Sequence, residues 1–147
     1  MRVADIMATH LVSCAPETPI VEVAQLMCDN DCGAIPVLED GGRPVGILTD
    51  RDITCRAVAE GRDVTGLQAA QVMSRAVITV SPDTSIEACC EVMEKNQLRR
   101  VVVIDELGVC CGMVAQADLA RRAPKDDTVA VVRAVSKPTG RSVSANA

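Results

Sequence analysis

The stretch "GILTDRD" at residues 46–52 places a threonine and an acid three residues apart. An ionised Asp52 offers only acceptors, so it can take hydrogen bonds from both vicinal hydroxyls of a ribose. The Thr49 hydroxyl, one turn earlier, can bond a phosphate or ribose oxygen, and N–H groups at a helix start favour an anion. A spacing of three residues puts both side chains on one helix face. The same pattern also serves a simpler purpose. Thr-x-x-Asp where a strand runs into a helix is a capping box, in which each side chain satisfies the other's backbone N–H. Such a cap stabilises by about 1 kcal/mol and requires no ligand. A second stretch, "GMVAQAD" at 112–118, keeps the acid as Asp118 but has Ala115 in place of the threonine. The pair Thr49–Asp52 is therefore the more complete of the two.

The elements that must hold these residues come in two copies. Shifted by 66 residues, the chain matches itself without a gap from about 5 to 53. Met7 falls on Met73, Pro16 on Pro82, Met27 on Met93, Gly46 on Gly112 and Asp52 on Asp118. Each copy opens with a β-like piece, "LVSC" or "VITV". A helix follows, with an apolar face of Ile20, Val23, Ala24 and Met27, or of Ile86, Cys89, Cys90 and Met93. Thr18 before Pro19 reads as one helix cap, and Thr84 with Glu87 as a capping box for the other. Two strands follow in each copy, "AIPVL" with "VGIL" and "VVVI" with "CGMV", each pair joined by a polar turn. A last helix starts near Asp50 or Gln116, the first running to about Glu60 and stopping at Gly61. The unit is β-α-β-β-α, twice. The expected divisions are 1–60, a linker at 61–68, a second unit at 69–124, a helix at 125–137 and a disordered tail at 138–147. The last helix carries a stripe of Val129, Val132 and Val135.

Composition narrows the function. The chain has 147 residues, a net charge of −5 and no Phe, Tyr or Trp. Without aromatic platforms or a broad basic face, nucleic acid is a poor partner. No apolar run approaches the roughly 20 residues that span a bilayer. "MRVADIM" has neither a long apolar core nor a small-residue cleavage site, so a cytoplasmic chain without signal peptide or membrane contact is expected. The eight cysteines include no Cys-x-x-Cys pair, and there is one histidine, His10. Zinc would need distant thiols. Reduced thiols packed in the core are the expectation, with a cysteine-based redox or metal sensor as the lesser alternative. No P-loop, His-Glu-x-x-His or Gly-x-Ser-x-Gly motif occurs, and one histidine leaves little room for a nucleophile–base pair. The expectation is a non-enzyme with no metal site.

In order and spacing, "DIM" with "QVM", "GAIPVLED" with "RRVVVIDE", and "GILTDRD" with "GMVAQAD" resemble the CBS domain family, two copies forming a CBS pair over residues 1 to about 124. The resemblance implies an α/β (α+β) fold of two motifs packed sheet to sheet about a pseudo-twofold axis, plus a short C-terminal helix. It implies clefts that take AMP, ADP, ATP or S-adenosylmethionine as a regulatory ligand, no required cofactor, and a disc-like homodimer. Carried onto this sequence, the site residues are Thr49, Asp52, Asp118, Arg99, Arg100, Ala34, Pro36, Val37 and His10. Arg99 and Arg100 stand where the first copy has Gly33 and Ala34, and would reach across to the other motif's phosphates. The planar guanidinium fork suits phosphate. Pro36 and Val37, with Val101 and Val102, would wall an adenine ring, although such residues are also ordinary core. The expected function is a regulatory sensor of an adenosine nucleotide. A ligand-free dimeric module with an unknown protein partner is the alternative, and Ala115 favours it.

Overall fold

The computed structural model describes residues 1–75 and 77–138. Of the tail expected to be disordered, only Pro138 lies among them. The two copies build matching helices. Helix α2 (Ile20–Asn30) buries Ile20, Val23 and Met27, and α4 (Ile86–Asn96) buries Ile86, Cys89, Cys90 and Met93. Both end at a left-handed residue, Asp31 at φ 49° and Gln97 at φ 51°. Their starts lie one residue beyond the expected caps. The Thr18 and Thr84 hydroxyls instead accept the N–H groups of Ala15 and Ser81, at 2.9 and 3.1 Å, and so brace the preceding turn. Pro19 leads into α2, and Ser85 caps α4 by accepting the Ala88 N–H at 3.1 Å.

Strand β1 (Ala34–Leu38) pairs antiparallel with β2 (Pro44–Thr49), and β4 (Arg100–Ile104) with β5 (Cys110–Ala115). Both ladders shift register at the same place, between Val37 and Leu38 and between Val103 and Ile104. The second sheet gains β3 (Thr79–Val80), parallel to β4. In the first copy "LVSC" forms no strand, and only Cys14 bridges to Val37. Pro36 is the cause. It has no N–H to donate, so the ladder cannot continue past Cys14, whereas Val102 at the same place in the second copy supplies that donor. The result is a mixed α+β chain with a two-stranded and a three-stranded sheet.

The copies exchange their leading segments. Ala8 pairs with Met113 of β5 through hydrogen bonds of 2.9 and 3.1 Å, and Ser74 pairs with Ile47 of β2 through bonds of 2.9 and 3.0 Å. Helix α1 (Val3–Ile6) buries Val3 and Ile6 in the second copy's core, beside Val80, Ile86, Met93 and Leu119. Ala69, Val72 and Met73 lie in the first copy's core, with Ile20, Ile35 and Leu48. Each copy's core therefore includes the leading segment of the other. Glycine makes the crossing possible. A Cβ at Gly46 would lie 2.9 Å from the Ser74 carbonyl oxygen, and one at Gly112 would lie 3.1 Å from that of Ala8.

After β2, α3 (Asp50–Ile53) continues as a π-helical turn over Thr54–Val58. After β5, α5 (Gln116–Arg122) leads to α6 (Lys125–Val135). Helix α6 packs on α4 and α5. Its buried residues are Val131 and Val135, while Val129 and Val132 are 37% and 39% exposed. The expected stripe of Val129, Val132 and Val135 is correct only at Val135. The helix is rotated so that Val131, not Val132, meets the core.

Candidate functional site

Thr49 and Asp52 form the capping box. The Thr49 hydroxyl accepts the Asp52 N–H at 3.1 Å, and Asp52 Oδ2 accepts the Thr49 N–H at 3.0 Å. The other carboxylate oxygen, Oδ1, lies 3.9 Å from Arg56 Nε. Asp118 repeats half of this arrangement, since its Oδ2 accepts the Ala115 N–H at 2.8 Å. Its Oδ1 accepts from Arg121 Nη2 at 3.1 Å, and the Asp118 side chain is 13% exposed. Thr49→Ala is expected to cost about 1 kcal/mol, measured as a lower denaturation midpoint. Ala115→Thr should recover a similar amount, because the acid it would pair with is already in place.

Two cavities lie nearby, one at Asp118 and one at Thr49. The first, of about 550 Å³, is bounded by the strip Ala8, His10, Leu11 and Val12, by Asn30–Ala34, by Arg100, and by Met113, Ala115, Asp118 and Arg121. It brings together four expected site residues: His10, Ala34, Arg100 and Asp118. The exchange of leading segments makes it, since Ala8 is held on β5 at Met113 and carries His10 past Ala115 and Asp118. The second, of about 670 Å³, is lined by Thr49, Asp50, Arg51, Arg99 and Arg100 and closed by Val135–Pro138 at the end of α6. Asp52 is not on its wall.

Arg100 lines both cavities. A Cβ at Gly33 would lie 3.3 Å from Arg100 Nη2 and 3.1 Å from Asp50 Oδ2, so a side chain there would crowd both groups. Pro36 and Val37 line neither of these two cavities. Both are buried in β1, as Val101 and Val102 are in β4, because successive side chains of these strands face packed layers. Cys32, Gly33 and Arg121 are wall residues that the motif reading passed over. The spacing of Arg121 from Asp118, three residues along one helix, was the available signal for one of them.

A CBS domain profile matches the chain twice, at residues 3–57 and 69–125. The chain belongs to the CBS domain family. This CBS pair is 35% identical to Hypoxic response protein 1 of Mycobacterium tuberculosis over 134 residues, 91% of this chain and 93% of that protein. The crystal structure of Hypoxic Response Protein I with two coordinated zinc ions is similar at TM-score 0.76 and 34% identity, covering 84% of this chain and 100% of that one. The CBS domain pair of protein MJ0100, in complex with 5′-methylthioadenosine and S-adenosyl-L-methionine, is similar at TM-score 0.74 and 26% identity, covering 82% of this chain and 94% of that one.

Among the described residues of this CBS pair, no group of three or more His, Cys, Asp and Glu side chains could hold a metal ion. Among the described residues no helix is long and apolar enough to cross a membrane. The buried thiols are poor nucleophiles. Burial pushes Cys14 and Cys89 up to about 11, and Cys90, with the neighbouring Cys89 adding to it, up to about 12. Cys32, Cys110 and Cys111 are raised by burial as well. A thiol whose folded value exceeds its ordinary 9.0 favours the fold below pH 9.0, and that contribution is lost as pH rises through the folded value. Stability should therefore begin to fall near pH 9.0, drop most steeply between there and about 11, and level off as the folded thiols ionise toward about 12. At neutral pH a maleimide should label exposed Cys28 and Cys55 first, as read by peptide mass, and Cys14, Cys89 and Cys90 only on unfolding.

Proposed function

We propose that this CBS pair is a non-catalytic regulatory module that takes an adenosine-bearing ligand in the cavity at Asp118. The observation that carries this reading is the cavity's lining: the almost buried Asp118 carboxylate, two arginines and an apolar strip around about 550 Å³, with a second acid, Asp31, exposed at the wall. That volume lies in the usual range for small-ligand sites. Each function has a residue to serve it. Asp118 has lone pairs left on both oxygens for a ribose diol. Arg100 and Arg121 can donate to phosphate or carboxylate. Leu11, Val12, Ala34 and Met113 offer apolar surface to the base.

The ligand would touch the strip Ala8–Val12 and Cys32–Ala34 on one side and the β5–α5 junction on the other, so it would favour whichever arrangement of these elements holds it best. In this reading a cytoplasmic homodimer passes that shift to a protein partner. Residues 1–60 and 69–124 act as the two motifs, 61–68 as their link, and the Thr49 side with Arg99 as the weaker site.

The test is a thermal-shift series with AMP, ADP, ATP and S-adenosylmethionine on the parent chain, Asp118→Ala and Asp52→Ala. A ligand at about 100 times its dissociation constant should stabilise by about 2.7 kcal/mol, several degrees for this size. The shift should vanish in Asp118→Ala and survive in Asp52→Ala. A shift lost only in Asp52→Ala would move the site to the Thr49 cavity. No shift with any of the four would favour the second reading, a ligand-free interaction module, which the engagement of Thr49 and Asp52 in capping supports.

A further inference from the structure

Three arginines surround a third cavity, of about 730 Å³, whose lining is Arg56, Arg62, Ala70, Gln71, Met73, Ser74 and Arg75. It shares no lining residue with the Asp118 or Thr49 cavities. In a chain of net charge −5, this wall carries three positive side chains and no carboxylate.

The guanidinium groups are held in place from behind. Arg56 Nη1 donates to the Val72 and Met73 carbonyls at 3.3 and 3.1 Å. Arg62 Nη1 donates to those of Arg56 and Gln71 at 3.2 and 3.4 Å, and Arg75 Nη2 to that of Ala70 at 3.1 Å. Bracing these carbonyls is a sufficient structural use for one nitrogen of each group. It leaves Nε and the other terminal nitrogen of each without a hydrogen-bond partner among the described residues. The nearest acids sit at the long limit of an ion pair. Asp52 Oδ1 is 3.9 Å from Arg56 Nε and already belongs to a carboxylate bonded to Thr49. Glu60 Oε2 is 4.0 Å from Arg62 Nη1, on a side chain 58% exposed.

We propose that Arg56, Arg62 and Arg75 form an anion site for a small molecule carrying more than one phosphoryl group. Arginine forks fixed from behind present paired N–H donors at no further ordering cost, the arrangement that suits phosphate oxygens. Three of them around an open cavity suit a chain of phosphoryl groups better than a single phosphate. The mutual repulsion of three cations is what the ligand relieves.

The test is calorimetric titration of the full chain with inorganic pyrophosphate at constant ionic strength. One saturable site is expected. Arg62→Gln and Arg75→Gln should each weaken it by about tenfold, the usual loss for a hydrogen bond to a charged group. Asp118→Ala should bind as the parent does, which separates this site from the adenosine reading. Absence of a saturable heat overturns the proposal. So does binding that Asp118→Ala abolishes and the arginine variants leave unchanged. Should either arginine variant fail to fold, the arginine Nε–H resonances of the parent chain decide. Shifts confined to these three on adding pyrophosphate support the site, and unmoved resonances overturn it.

Discussion

Gly112→Val is expected to destabilise the fold by about 3 kcal/mol. Gly112 pairs with Val103 in the ladder of β4 and β5, and the strip Met7–Ala8 lies directly against it. A Cβ there would sit 2.7 Å from Met7 Sδ and 3.1 Å from the Ala8 carbonyl oxygen. Real Cβ atoms do not approach sulfur so closely. The thioether could swing aside, but the Ala8 carbonyl is backbone and already accepts the Met113 N–H at 3.1 Å. Valine therefore lifts the strip. Overpacking of this kind costs about 1–3 kcal/mol, and two lost backbone hydrogen bonds add about 1 kcal/mol each. Gly66→Ala is the control, because a Cβ there meets nothing within 4 Å and its effect should stay within about 0.5 kcal/mol. Urea denaturation of both variants reads the difference. Equal midpoints would mean that the strip does not cross β5.

Val131→Asp is expected to cost about 3–5 kcal/mol, the usual penalty for a buried charge without a partner. Val131 is fully buried in the core shared by α4, α5 and α6, beside Leu119 and Cys90. The carboxylates that act on Cys90, in the same core, are unfavourable to a further negative charge. Asp127, one turn earlier on α6, already helps to raise the Cys90 thiol, so a new carboxylate would face an acid rather than a base. Val132→Asp, one residue on, should change stability by no more than about 0.5 kcal/mol, because that side chain is 39% exposed. Thermal unfolding of the two variants, with helix content followed at the same time, is the measurement. A comparable loss at Val132 would rotate α6 to the face that the spacing of Val129, Val132 and Val135 suggests.

That contrast shows where pattern reading stops. Residues 129–135 contain four valines, which satisfy more than one helical stripe, and only packing against α4 and α5 selects Val131 with Val135. The repeat itself was legible, because identical residues recur at one fixed spacing and each pair carries the same local role. The strands and the faces of α2 and α4 follow from it. The absence of the first β piece was also legible in principle: Pro36 announces a missing donor, but its consequence falls on Cys14, in another segment. The helix caps miss by one residue because Thr18 and Thr84 can satisfy either the turn before or the helix after. The candidate site was half visible. The residue types at His10, Arg100 and Asp118 could be named from motifs. That the strip beyond Ala8 lies across the other copy's strand is a non-local fact. Its one local trace is a glycine inside each strand, at Gly46 and Gly112, which marks close approach of another backbone.

The crossing has a further consequence. Each half of the chain carries the edge strip that completes the other half, so neither is self-contained. A chain cut within 61–68 would yield two fragments, each with a bare strand edge at Ile47 or Met113 and a loose strip looking for one. Such fragments should reassemble by mutual donation rather than fold alone. A single copy expressed by itself would meet its need by pairing head to head with its twin, rebuilding between two molecules what this chain closes within one.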